Sequence, residues 1–520
     1  MSLPPILTRA RIRGLVLVSL LTLLQGLAAG AAALATRQLF EALHAGSGLS
    51  PLAMGGLAGS GLVLAAARVQ ARVAGERLGQ GYARDIRVAL FEHAAGMAAS
   101  DVATRRAGYM SLRFVGDMTA FRNWLALGLP RLIAGAILIP MALMVLWLMH
   151  PAFLAALAGP AIIAMGVLGM GGRRLVPRHR RLRARRARIA AEMAERMPLA
   201  PELDRLGRRP TECKRLDRRT SAMVRAALDR VRLAEALKAL PDVLAGLAAV
   251  TILALGARLG LGTGTIAGAL AALGLMLNPM RDLASVGNIF AAWQAARAKA
   301  SAALGRPQRG GYGRRSLPKG PVDLRIRGLD LPSGRRLDLT AKPGAIRSLT
   351  LPEQDSAFVF AALARLEPAP EGAIALSGRP LSDLSRGSLR RNVARVGCDI
   401  AVMQGSLRSA LTMGGPRRTD TELQARLARI GVDGILSLAG GVDARILEGG
   451  RNLSPSQRLA ISLFRAAEQR PRLVLLDASL ALATPVARKA VRDWLRRQDC
   501  TVLADAAADL HRREKVHVAE

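Results

Sequence analysis

The chain has 520 residues, 51% of them hydrophobic and 22% charged, with a mean hydropathy of +0.23 and a formal net charge of +37. That length allows two or more domains, and the charge calls for an anionic partner or a sided membrane arrangement. With 3% aromatics and three scattered cysteines (Cys213, Cys398, Cys500), base-stacking nucleic-acid platforms, disulfide scaffolds and zinc sites are excluded.

In chain order, apolar runs free of charge fall at 14–36, 51–67, 132–149, 151–172, 243–257 and 259–280. A bilayer core needs roughly 20 helical residues. The first, fourth and sixth runs meet that length. The other three must borrow flanking residues, with Arg131 and Asp242 as the nearest ends. The first run is too long for a signal peptide and lacks a cleavage pattern, so it reads as a span. Six spans are expected.

Arg9, Arg11 and Arg13 precede the first span, while the following connection EALHAGSGLSP has neither Lys nor Arg. The third and fourth runs meet at His150–Pro151, and the fifth and sixth near Arg258. The arginine-loaded stretches 68–131 and 173–242 belong inside, which places both termini in the cytoplasm. This charge faces anionic lipid at the bilayer surface, with no nucleic-acid partner required. VPRHRRLRARRARIAAEMAERM is rich in helix formers and lacks glycine. The spans should therefore continue as helices, about 45 Å for a thirty-residue extension.

GRPQRGGYGRRSLPKGP ends the helical pattern and reads as a linker, 306–321, between a six-span domain over 1–305 and a soluble α/β domain over 322–520. In the latter, IRSLT, VARVG, RLVLLD and TVLAD are expected strands. LARL, ELQARLARI and ARKAVRDWLRRQ are expected helices, around a largely parallel sheet.

EGGRNLSPSQRLAISLFRAAEQRPRLVLLDAS resembles the signature helix and Walker B strand of an ABC transporter ATPase, where LSGGQ precedes a helix and a strand ending in Asp-Glu. ERLGQGYARDIRVALFEHAAGM and FVGDMTAFRNWLALGLPRLIAG are similar to helices of that family's exporter-type membrane domain. The resemblance covers about 12–305 and 322–520. It implies an α-helical membrane domain with long cytoplasmic extensions, then an α/β P-loop-like cassette.

The family cradles ATP phosphates in a glycine-rich loop carrying a lysine. Matched to it, Thr350–Phe358 has Ser356 at the lysine, Asp355 at the preceding glycine and Glu353 at another. Carboxylates there would oppose a triphosphate, and Asp355 or Ser356 is expected to cap the next helix through a side-chain oxygen. The Q-loop glutamine matches Cys398, the catalytic glutamate Ala478 and the D-loop aspartate Thr484. The switch histidine would fall in the AAA after TVLAD, with His511 an ordinary surface residue, and no aromatic in 322–345 offers itself to adenine. Asp477 either faces magnesium or is a hydrogen-bonded structural residue.

Ser454, Ser456 and Gln457 hold the signature positions, and Glu448, Gly449 and Gly450 resemble the adjoining loop that meets the membrane domain. Two readings stand for the signature: a face offered in trans to a partner's ATP and magnesium, or a structural helix start. Pro455 removes one N–H there. The resemblance implies a multi-pass subunit of a bacterial inner-membrane exporter that binds no nucleotide in its own loop. It would pair with a competent half-transporter and transmit motion through turns near 103–115 and 200–210. A non-transporting scaffold and a weakly ATP-binding homodimer are the alternatives. The cargo is not legible; Gln25 and Asn278 are the polar residues within spans.

Overall fold

The computed structural model describes residues 3–103, 118–320, 322–413, 415 and 418–508, and the backbone of 515–516. His511 and most of the turn expected at 103–115 lie outside these residues. The chain forms two compact units, Met1–Ala95 with Arg105–Arg306, and Gly96–Thr104 with Pro307–Glu520.

The first unit contains the six expected helices. They run Arg9–His44, Pro51–Ala95, Met118–Met149, Pro151–Arg196, Arg209–Arg258 and Thr263–Leu304. Each is long and apolar enough to cross a membrane. The arginine-rich connection does continue as helix: the fourth and fifth helices have 46 and 50 residues. They are joined by the short helix Ala200–Arg205 and a turn at 206–208. The sixth helix starts at Thr263 rather than 259, because Leu259 caps the fifth and Gly260 takes a left-handed φ of 61°.

The first helix packs on the second, third and sixth, and the fourth on the fifth and sixth. Leu146, Phe153, Ile252 and Met280 are buried where the third to sixth helices meet. At another level Trp124 stacks on Trp293, centroids 5.4 Å apart, and tilts against Phe290. The third helix passes through a π turn at Trp124–Gly128. A Cβ on Gly128 would fall 2.4 Å from the Trp124 ring, so only glycine lets the indole lie there.

In the second unit, four parallel strands and a short fifth form a sheet in the order β11-β3-β10-β9-β6. Their ranges are β3 Ile346–Leu349, β6 Val393–Val396, β9 Leu473–Leu476, β10 Thr501–Asp505 and β11 Lys515–Val516. The strands read from IRSLT, VARVG, RLVLLD and TVLAD are β3, β6, β9 and β10. LARL does not form a helix of its own. It closes the helix Glu353–Leu363, with Ala364 as the cap and Arg365 at a φ of 57°.

A second, antiparallel sheet has the order β2-β1-β4-β5, with β1 Leu324–Asp330, β2 Arg336–Ala341, β4 Ile374–Leu376 and β5 Arg379–Pro380, and β7 Gly405–Ser406 pairs separately with β8 Arg445–Ile446. Its first strand escapes a sequence reading because its alternation slips by a bulge between Ile326 and Leu329. Leu324, Ile326, Leu337 and Leu339 face a core shared with Phe360 and Leu363.

Residues 307–320, read as linker, pack within this second unit: Leu317 is buried and its N–H donates to Ser388 Oγ at 2.9 Å. Gly96–Thr104 also belongs to it. Glu367 accepts the N–H and hydroxyl of Ser100 at 2.6 and 2.9 Å.

Candidate functional site

In a parallel sheet the carboxyl ends of the strands open onto one edge, where such folds place their ligands. At that edge the register pairs Leu349 with Asp505, and Leu476 with Ala504 and Val396. The residues just beyond are Thr350–Pro352, Asp477 and Gly397–Cys398. The phosphate-loop match, the Walker B match and the Q-loop match are thus brought together.

The loop is short. The helix begins at Glu353 with Pro352 as its cap and no side-chain capping bond. Asp355 and Ser356 lie inside the first turn, so they do not cap the helix as expected; Pro352 fixes the start one residue before Glu353. Both side chains are buried. Asp355 Oδ1 accepts the N–H of Ser333, from the β1–β2 turn, at 3.1 Å, and its Oδ2 has no hydrogen-bond partner among the described residues. The Ser356 hydroxyl donates to Asp505 Oδ2, while Asp505 Oδ1 accepts the N–H of Ala507 at 2.8 Å.

Asp477, whose side chain is 6% exposed, directly follows β9 and is fully engaged. Oδ2 accepts from Arg395 Nε at 2.8 Å, and Oδ1 accepts the N–H of Ser479 at 3.0 Å as well as its hydroxyl. Arg395 reaches it from the neighbouring strand β6. The Ser479 hydroxyl oxygen also accepts the N–H groups of Cys398 and Asp399 at 2.8 and 3.1 Å. A Cβ on Gly397 would stand 2.2 Å from Asp477 Oδ1, so this carboxylate needs a glycine beside it. Burial, and then the Asp477 charge, push the Cys398 thiol up to about 11.

The signature residues lie at the start of the helix Pro455–Gln469. Ser454 caps it, accepting the Gln457 N–H at 3.2 Å, while Gln457 Oε1 accepts the Ser454 N–H at 2.9 Å. This reciprocal box satisfies two helix-start donors. The Ser456 hydroxyl donates to Thr484 Oγ1 at 3.1 Å and accepts the Thr484 N–H at 3.0 Å. Signature and D-loop matches are therefore tied to each other within the chain. Glu448–Gly450 form a 3-10 turn whose Gly450 carbonyl accepts from Arg458 at 3.0 Å.

Three participants are absent from the sequence reading: Asp505, Arg395 and Ser479. The first two had a signal. A carboxylate closing an apolar strand, or an arginine inside one, must find a partner.

Six apolar helices followed by an α/β domain with a ligand-type sheet edge define a polytopic membrane protein with an appended cassette. Residues 15–276 match the family profile of the ABC transporter transmembrane region, about half of the chain. ABC transporter C family member 3 of Dictyostelium discoideum is 31% identical over 151 residues, 28% of this chain and 11% of that protein. The uncharacterized ABC transporter ATP-binding protein YknV of Bacillus subtilis is 28% identical over 163 residues, 30% of this chain and 27% of that one. Antigen peptide transporter 2 of Mus musculus is 27% identical over 186 residues, 35% of this chain and 26% of that one. The matched stretches span 11 to 27% of these relatives. The chain belongs to the ABC transporter family, as an integral, multi-pass membrane protein with an exporter-type membrane region.

Proposed function

We propose that the chain is one half of an ABC exporter whose own cassette does not turn over ATP, working beside a catalytically competent half-transporter. The single observation that carries this reading is the Arg395–Asp477 ion pair. An aspartate at that position would meet magnesium, but an internal guanidinium already neutralises it and Ser479 occupies the other oxygen. The rest of the edge argues the same way. Asp355 and Asp505 add buried carboxylates where a triphosphate needs cations and N–H donors, Ser356 gives its hydroxyl to Asp505, and Ala478 supplies no base. These residues do not fit a magnesium–triphosphate.

In this reading the chain lines part of the transport path, with both termini cytoplasmic, and follows a partner's ATP cycle through its cytoplasmic helix turns. The composite site offered by Ser454, Ser456 and Gln457 toward a partner's nucleotide belongs to the same proposal. Isolation from the native membrane should recover a second half-transporter carrying intact GxxxxGK[ST] and LSGGQ. Azido-ATP should label that partner and leave this chain unlabelled. Recovery of this chain alone, or its own labelling, overturns the reading.

A second reading, a non-transporting scaffold, is favoured by the internal engagement of the signature side chains. It predicts that replacing Pro455 and Ser456 by glycine leaves the partner's ATP turnover unchanged.

A further inference from the structure

The apolar run of the first helix covers 14–36, so Gln25 stands at its midpoint. Gln25 Nε2 reaches the carbonyl of Ala67 on the second helix at 3.5 Å. Arg68, the next residue, therefore lies at the depth of that midpoint rather than in the inside stretch expected from 68 onward, because the second helix runs unbroken over Pro51–Ala95. Arg72 follows four residues later, on the same helix face. Both line a cavity of about 790 Å³ among the first, second, third and sixth helices. A cation at this depth is costly and marks a site rather than a packing accident.

The other charges on the wall do not neutralise this pair. Arg131 is satisfied by Asp282 at 3.0 Å and Ser285 at 2.7 Å. Arg72 Nη1 donates to the Ala126 carbonyl at 3.2 Å, a neutral acceptor. Arg68 has no hydrogen-bond or ion-pair partner among the described residues. Three arginines face one aspartate. The remaining wall is mostly apolar, with Leu64, Val69, Leu138 and Met141, and runs from Pro130 to Ala142 along the third helix. At the helical rise that is about 18 Å.

We infer that this cavity takes an anionic amphiphile, its carboxylate or phosphate head paired by Arg68 and Arg72 and its hydrocarbon along the third helix. The inference rests on the half-transporter reading and names the class of its cargo. A cation would be repelled here. A neutral polar solute would leave the arginines without a counter-charge in an apolar wall.

The test uses the full chain in phosphatidylcholine nanodiscs, with radiolabelled oleate and, as the uncharged probe of equal length, oleyl alcohol. Oleate is expected to bind at least about tenfold more tightly than the alcohol. Arg68→Gln with Arg72→Gln should remove that preference while alcohol binding persists, which shows the cavity intact. Arg68→Lys with Arg72→Lys should keep it. Equal affinity for the two probes, or an oleate preference unchanged by the glutamine pair, overturns the inference. Adding phosphatidylglycerol separates the sources: competition identifies a resident bilayer lipid, and its absence a free acid as occupant. Neither partner nor ATP enters this assay. Its failure would therefore leave the pairing proposal standing, and failure of co-isolation would leave the binding result standing.

Discussion

Replacing Arg395 by alanine tests whether the edge of the parallel sheet is held by internal charge. Asp477 keeps Ser479 on one oxygen and loses the guanidinium from the other, in a place where its side chain is 6% exposed. Removing one partner of a fully buried pair costs about 3–5 kcal/mol. Arg395 is 26% exposed, and water can reach part of the vacated volume, so the expected loss is about 2–3 kcal/mol. For a domain near 200 residues each kcal/mol moves the midpoint by about 2–4 °C, giving a fall of about 4–12 °C. A thiol-reactive dye reports this in the full chain, because Cys398 and Cys500 are buried in the cassette. Combining Arg395→Met with Asp477→Asn removes both charges and should recover about 1–2 kcal/mol over Arg395→Met alone. A midpoint within about 1 °C of wild type for Arg395→Ala would refute the argument. So would a double variant no more stable than Arg395→Met.

Gly397→Ala places a Cβ against both Asp477 oxygens, and should cost about 1–3 kcal/mol in the same dye assay with no change in the membrane domain's helix content. Burial pushes the Cys398 and Cys500 thiols up to about 11 from the ordinary value of 9.0. Above pH 9 the unfolded chain releases these protons and the folded one retains them, so cassette stability should be level below pH 9 and fall between 9 and 11. Circular-dichroism melts across that window check the sign, and at pH 8 alkylation should reach the exposed Cys213 first. Glu367→Ala removes both acceptors of Ser100 and should raise hydrogen–deuterium exchange in 96–103 by about tenfold, a loss of about 1–2 kcal/mol.

The membrane helices were legible because span length and hydropathy set them directly. Even the continuation of the spans as helix could be read from an arginine-rich stretch without glycine. The strands Leu473–Leu476 and Thr501–Asp505 were legible for a similar reason: a strand buried on both faces is a short, mostly apolar run. The antiparallel sheet was hidden by its bulge and by charged outward positions such as Arg325 and Arg327. At the site, the positions of Asp355, Ser356 and Asp477 followed from the motif match, but their partners did not. Ser356 meets Asp505 across 149 residues of sequence, and Arg395 meets Asp477 across 82. Periodicity carries no information about pairs so far apart.

Those pairs bear on how a cassette can keep its frame without a ligand. A phosphate site leaves N–H groups and a carboxylate waiting for a charged guest, and a buried group left waiting is costly. Here most of these demands have an internal answer, the buried Asp355 Oδ2 being the exception among the described residues. Ser333 N–H goes to Asp355, the Ser356 hydroxyl to Asp505, the Cys398 N–H to Ser479, and Asp477 to Arg395. In the proposed reading the departures from the family's motifs are therefore linked rather than independent. Restoring a lysine at Ser356 alone would set its ammonium beside Asp505, where it would find a carboxylate before it found a phosphate. Arg395 would still hold Asp477. If the proposed reading holds, nucleotide affinity at this edge requires several changes at once.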